Sequence, residues 1–213
     1  MKKKKTFIEL SEFNCELTIT NAFIGTSKNL FIIEKHFFNE KYIPFNQYLN
    51  YLSQLAFCLE LGLKNIIKIT NKVWKSHNLK ELFFEADNET NNNFSKKFFG
   101  SYNNEFKQEF LCLINNVSNL YEEARYCYGN SLKYFFIDQY IVENDVIDFY
   151  KIINTNEPIM LLKLFLEELG EYHNFVHWNS IKNNDDNKNL DDNIHNIIKT
   201  KFDIQVNIDV KEK

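Results

Sequence analysis

Arg125 is the chain's single arginine, and every other basic side chain apart from the histidines is lysine. A guanidinium offers planar, multi-donor hydrogen bonding that an ammonium does not reproduce, which makes Arg125 a candidate for contacting an anion. Its position near a helix end supports two other readings: favourable charge at a helix C-terminus, or a buried pair with Glu60 or Glu122. Glu60 and Lys64 stand four residues apart, acid before base, and an exposed pair in that order contributes roughly 0.2 to 0.5 kcal/mol to a helix. Gly62 between them costs a helix interior about 1 kcal/mol against alanine, and it is explained most simply by a second helix approaching closely there.

The histidines offer less. His77 lies just outside a helix start in SHNLKEL, where a packed or backbone-bonded imidazole fixes the path of the chain into that helix. His173 and His177 have the four-residue spacing that lets two imidazoles share a metal. Asn174, however, follows the first of them where a metalloprotease helix carries glutamate. With no E-x-x-H for a di-iron bundle either, packed or surface histidines beside Trp178 are expected, with no metal and no cofactor. Cys15, Cys58, Cys112 and Cys127 are scattered without a C-x-x-C pair. Three of them lie in apolar helical surroundings, so reduced, buried thiols in a cytosolic protein are expected. Phosphate loops, G-x-S-x-G and zinc-finger spacings are lacking.

The element that must position most of these groups runs from Pro44. Phe45, Tyr48, Leu49, Leu52, Leu55, Ala56, Leu59, Leu63, Ile66 and Ile67 recur at three- and four-residue steps, which places them on one helical face. A helix of that length forms the main wall of a core. After Trp74 the period stops. Asn78 is a good N-cap for a second helix, with Glu81 placed to close a capping box. Phe106, Phe110, Leu113, Val117, Leu120 and Ala124 then form one continuous stripe that stops before Gly129. Leu59, Leu63, Val117 and Leu120 are expected to be buried together where these helices face each other.

Here the order of features resembles the HEPN family of small helical domains found in prokaryotic toxins, defence systems and nucleotidyltransferase partners. The residues that carry the resemblance are Glu60-Leu61-Gly62-Leu63-Lys64, His77-Asn78-Leu79 with Leu82, and Arg125-Tyr126, over roughly residues 20 to 155. It implies an antiparallel bundle of four to five helices and a homodimer. It also implies binding of RNA, a nucleotide or a partner protein in a defence or toxin–antitoxin setting, with Glu60, Lys64 and Tyr126 as binding residues. Catalytic members cut RNA without a metal through an R-x4-6-H motif, Arg on the phosphate and His moving a proton. This chain departs from that motif: Asn130, Ser131 and Leu132 fill the window after Arg125, and no histidine follows until His173. Asn130 can orient a phosphate and cannot transfer a proton. A noncatalytic or cryptic domain is therefore expected, the alternative being a metal-independent endoribonuclease that joins Arg125 to His77 across the fold.

The remaining segments set the frame. The chain's 213 residues suffice for one domain with appendages. A net charge of -4 argues against a broad grip on phosphate backbones. The aromatic share of 16%, with 21 Phe, looks like a coding bias and is not by itself a stacking surface. The acids in TFIELSEFNCE argue against a signal peptide after the Lys2 to Lys5 run, and no apolar stretch is long enough to span a bilayer. Residues 1–20 read as an extended N-terminal segment, and 21–178 as the helical domain with its first helix over 21–38 or from Ser27 onward. Residues 87–104 read as a loop or weak helical turn. One broken helix or two are expected over 131–153, and another from Pro158. Residues 179–213 are a polar linker followed by alternating Phe202, Ile204, Val206, Ile208 and Val210, a strand expected to pair with the N-terminal segment or with another chain. The fold expected is mainly α, an antiparallel bundle with a small β-sheet.

Overall fold

A computed structural model describes residues 7–40, 42–100, 102–135, 146–149, 151–152 and 156–173. The chain is mainly helical, as its periodicity predicts, with a small antiparallel sheet. Among the described residues the helices are α1 (Phe7–Glu40), α2 (Phe45–Lys64), α3 (Leu79–Glu89), α4 (Asn93–Phe99), α5 (Asn104–Asn116), α6 (Leu120–Tyr126) and α7 (Glu157–Tyr172). Strands β1 (Tyr42–Pro44) and β2 (Val146–Asp148) pair antiparallel with Ile43 opposite Ile147, both of them buried.

Helix α2 is the centre of the bundle. It packs against α1, α3, α6 and α7, so burial extends well beyond one stripe to Tyr51, Ser53, Cys58, Glu60 and Lys64. Leu59, Leu63, Val117 and Leu120 are all fully buried, as the facing helices require. The phenylalanines fill the core: Phe98, Phe110 and Phe165 meet at 4.7 to 5.0 Å between ring centroids, in the edge-on or tilted arrangements that aromatic quadrupoles favour.

Several expectations are corrected. The N-terminal segment is not extended but belongs to α1, a continuous helix from Phe7 to Glu40. Its inner face runs through Ile19, Phe23, Ser27, Leu30, Glu34 and Phe37, a stripe of three- and four-residue steps. Ser27 and Glu34 are fully buried members of that stripe, and their polarity hides the period. The small sheet accordingly uses 42–44 and 146–148 instead of the N-terminal segment, while the strand expected at 202–210 lies outside the described residues. Val146 is in β2 and not in a helix. The stripe over 106–124 is interrupted, α5 and α6 being separated by a turn at Val117–Asn119, and a short helix, α4, occupies the middle of 87–104.

Local signals at helix ends hold where they depend on neighbours in sequence. Asn78 caps α3 by accepting from the backbone N–H three residues on, and Pro158 sits in the first turn of α7, both as expected; Asn103 and Asn156, not singled out from the sequence, cap α5 and α7 in the same way. The capping box is only half formed. Glu81 binds the Ser76 hydroxyl at 2.7 Å, and Ser76 in turn accepts from the Asn78 N–H. The stop of α6 falls on Cys127, in the left-handed region at φ 61°, two residues before Gly129. Gly129 is itself at φ 120°, and a Cβ there would run into the Glu123 carboxylate, which accepts from the Ser131 N–H at 2.6 Å.

Candidate functional site

The last turn of α2 carries a carboxylate that serves two partners. Glu60 is 2% exposed and accepts from Lys64 at 2.7 Å and from His77 Nδ1 at 3.0 and 3.1 Å. The Glu60–Lys64 pair is thus buried, correcting the expectation of an exposed surface pair. Isolating either charge there carries a large desolvation cost, so each partner depends on the other. Lys64 also lies over the Trp74 ring, 5.6 Å from its centroid, within the range of a cation–π contact.

His77 reaches this carboxylate because the chain around it is pinned at both ends. Asn71 accepts from the Val73 N–H to start a 3₁₀ turn at Lys72–Lys75 and binds Glu85 and Glu89 of α3. On the other side the Leu79 N–H bonds the Ser118 carbonyl at 2.9 Å, and Asn78 bonds Asn119 at 3.2 Å, drawing the start of α3 onto the turn before α6. The imidazole, 52% exposed, stacks on Tyr121 at 6.1 Å, and Tyr121 stacks on Phe57 of α2 at 5.3 Å. His77 is held by a side-chain carboxylate and an aromatic ring, so of the packed or backbone-bonded imidazole expected it is the packed one.

Tyr121 and Arg125 are four residues apart on α6 and therefore share a face, about 6 Å along the axis. Arg125 is exposed in the last turn of the helix with its guanidinium 5.5 Å from the Tyr126 ring centroid. It makes no ion pair among the described residues, so the buried pair with Glu60 or Glu122 is not formed. Tyr126 and Tyr128 are 60% and 62% exposed, with ring centroids 6.3 Å apart. Asn130 is exposed just beyond them. The sequence-predicted Glu60, Lys64 and His77 are brought into contact, and Arg125 with Tyr126 forms the adjoining end of α6. Tyr121, Trp74 and Tyr128 were not singled out from the sequence. The only available signal was the four-residue step from Tyr121 to Arg125.

His173 does not offer itself to a metal. Its Nε2 bonds the Gly62 carbonyl at 2.9 Å, and its ring sits edge-on to Phe23. Burial pushes its pKa below the usual 6.5. His177 lies outside the described residues, and among the described residues no group of three or more potential ligands is placed to hold a metal. Of the cysteines only Cys58 is buried, its thiol pushed up to about 12 by burial. Cys15, Cys112 and Cys127 are exposed, against the expectation of buried thiols. No helix among the described residues is long and apolar enough to cross a membrane.

Compared with known protein families, curated proteins and solved structures, the chain matches none of them.

Proposed function

We propose that this chain is a HEPN-like helical domain, noncatalytic or cryptic, that binds RNA, a nucleotide or a partner protein. In this reading it acts as a homodimer in a prokaryotic defence or toxin–antitoxin setting. One observation carries the binding role: the chain's single guanidinium stands in solvent against Tyr126, with Tyr128 beside it. Arginine and tyrosine are the residue types that concentrate binding energy at interfaces, and a cation beside exposed rings also suits a phosphate next to a stacked base. The absence of histidine in the window after Arg125, where Asn130 stands, supports a role without catalysis.

Fluorescence anisotropy with a labelled single-stranded RNA, alongside sedimentation velocity, tests this reading. Arg125→Ala and Tyr126→Ala are expected to weaken RNA binding or dissociate the dimer, each by about tenfold in the relevant constant. A monomeric wild-type chain that binds RNA no differently from the two variants removes the proposal.

The endoribonuclease reading draws support from the Glu60–His77 contact. A buried carboxylate on Nδ1 orients the imidazole and leaves its other nitrogen for proton transfer, the arrangement used by acid–base histidines, and Arg125 lies one helical turn from the ring on which His77 stacks. Metal-free cleavage of RNA that disappears in both His77→Ala and Arg125→Ala decides for this alternative.

A further inference from the structure

The loop that leaves α6 closes over a carboxylate. It runs between two buried anchors, Ala124 in α6 and Leu132 in a 3₁₀ turn at Ser131–Tyr134, and residues 125–130 between them are all exposed. Glu123 holds this loop through three hydrogen bonds. Its carbonyl accepts from the Cys127 and Tyr128 N–H groups, and its carboxylate accepts from the Ser131 N–H at 2.6 Å. The same carboxylate fills the space that a Cβ at Gly129 would need. Asn130, just before the 3₁₀ turn, makes no capping bond with its own side chain, so Glu123 supplies the acceptor that this turn requires. The path needs Cys127 at φ 61° and Gly129 at φ 120°. A left-handed residue other than glycine is uncommon and persists where its surroundings enforce it.

What the loop holds out is a pair of rings. The Tyr126 and Tyr128 centroids are 6.3 Å apart, with planes 31° from parallel, and the Arg125 guanidinium lies against Tyr126. The other exposed large apolar side chains of the described residues belong to other elements: Leu17 and Ile32 to α1, Tyr42 to β1, Phe84 to α3 and Val146 to β2. Specific protein partners are recognised through a broad patch of about 800 Å² a side, packed around an apolar core. Two ring faces and one cation on a protruding loop, flanked by Cys127, Gly129 and Asn130, suit bases better. Every base has a π-face, and stacking asks for no enclosing pocket.

We infer that Glu123 is a positioning residue, presenting Tyr126 and Tyr128 as a preformed platform on which unpaired bases of a single-stranded RNA stack, with Arg125 on a phosphate of that strand. The inference rests on the reading of the Arg125 end of α6 as a binding surface, narrows its ligand to unpaired bases and adds a residue that touches none of them. Rings held in place before binding lose less freedom on association. With one guanidinium at the platform and a net charge of -4, affinity comes from stacking. Its salt dependence is therefore expected to be shallow, with a slope of about −0.7 in log K against log salt, the share of a single phosphate.

A labelled oligoadenylate and an abasic strand of the same length, followed by fluorescence anisotropy with the full chain, are the probes. The oligoadenylate is expected to bind about tenfold tighter than the abasic strand. Glu123→Ala is expected to weaken it by about tenfold while the melting curve stays cooperative. Glu123→Gln, whose amide oxygen still accepts from the Ser131 N–H, is expected to restore binding. Without ligand, chymotrypsin is expected to nick Glu123→Ala after Tyr126 and Tyr128 faster than the parent, as mapped by mass spectrometry. Equal binding of the two strands, a Glu123→Ala variant that binds and resists nicking like its parent, or a Glu123→Gln variant as weak as Glu123→Ala overturns this inference alone, provided Arg125→Ala and Tyr126→Ala still weaken RNA binding or the dimer. Loss of the dimer in Glu123→Ala, in a chain that does not bind oligoadenylate, gives the tyrosines to a protein interface and also overturns it. Arg125→Ala and Tyr126→Ala without effect on either removes both readings.

Discussion

Glu60 and His77 are joined across seventeen residues by contacts of 3.0 and 3.1 Å from Nδ1 to the two carboxylate oxygens, although one partner is buried and the other half exposed. The asymmetry determines what each residue does for stability. His77 lends its exposed face to solvent and its inner nitrogen to Glu60, whereas Glu60 is also the counter-ion of a buried ammonium.

Glu60→Ala therefore leaves Lys64 charged and unpaired in the core and is expected to cost about 3 to 5 kcal/mol. His77→Ala removes only a half-exposed partner and is expected to cost under about 1 kcal/mol. Urea denaturation of the two variants checks the contrast, and equal losses would show that the buried pair does not depend on Glu60 in this way.

Gly62 has its own consequence. A Cβ at this position would lie 2.9 Å from Leu169 Cδ1 and 3.0 Å from Phe23 Cε2, both fully buried side chains. Helix propensity favours Gly62→Ala by about 1 kcal/mol, while overpacking costs about 1 to 3 kcal/mol. The net expectation is a destabilised protein. In a Leu169→Ala background, where room has been made, the same substitution is expected to become neutral or stabilising, a coupling that a double-mutant cycle measures.

A second buried ion pair ties the ends of the bundle together. Glu34 of α1 accepts from Lys163 of α7 at 2.9 Å and from the Tyr51 hydroxyl of α2 at 2.8 Å, and all three are at most 2% exposed. Burial, then the Glu34 charge, hold the Tyr51 pKa well above its usual value of 10.0. Lys163→Met is expected to cost about 3 to 5 kcal/mol by stranding the carboxylate. The triple variant Glu34→Leu, Tyr51→Phe, Lys163→Met is expected to regain most of that loss, because neither member of this pair is then left without its counter-charge. Thermal melts of the two proteins report the difference.

His173 predicts an acid-side loss of stability. Burial lowers its folded pKa below 6.5, so below that pH the unfolded chain binds the proton first. Its contribution is complete above about pH 6.5 and is lost as the pH falls through the folded value. His173→Gln keeps a neutral donor for the Gly62 carbonyl and does not titrate. Its unfolding free energy is expected to fall less steeply below pH 6.5 than that of the parent, as read from urea curves across that range.

The parts of this fold that were legible in the sequence rest on interactions within a turn or two of helix. The stripe of α2, the asparagine cap of α3, and Pro158 at the start of α7 all follow from residues three or four positions apart. The same locality misled at α1, where the alternation of Glu16, Leu17, Thr18, Ile19 and Thr20 reads as a strand. The helical stripe that overrides it passes through Ser27 and Glu34, whose burial is favourable only because Glu34 has partners on α2 and α7.

Tertiary structure alone decided the rest. Whether Glu60 and Lys64 form an exposed pair or a buried one depends on what covers that turn of α2, and nothing within four residues records it. The β1–β2 pairing joins three-residue segments more than 100 positions apart, too short to show a period of their own. The meeting of His77 with Tyr121, and so the neighbourhood of His77 and Arg125, is likewise set by the turns that fold α3 back onto α6. Sequence determined the helices whose stripe or cap lies open in the chain, α2, α3 and α7, because helix formation is local. Which polar side chains they enclose was decided by packing between segments distant in the chain.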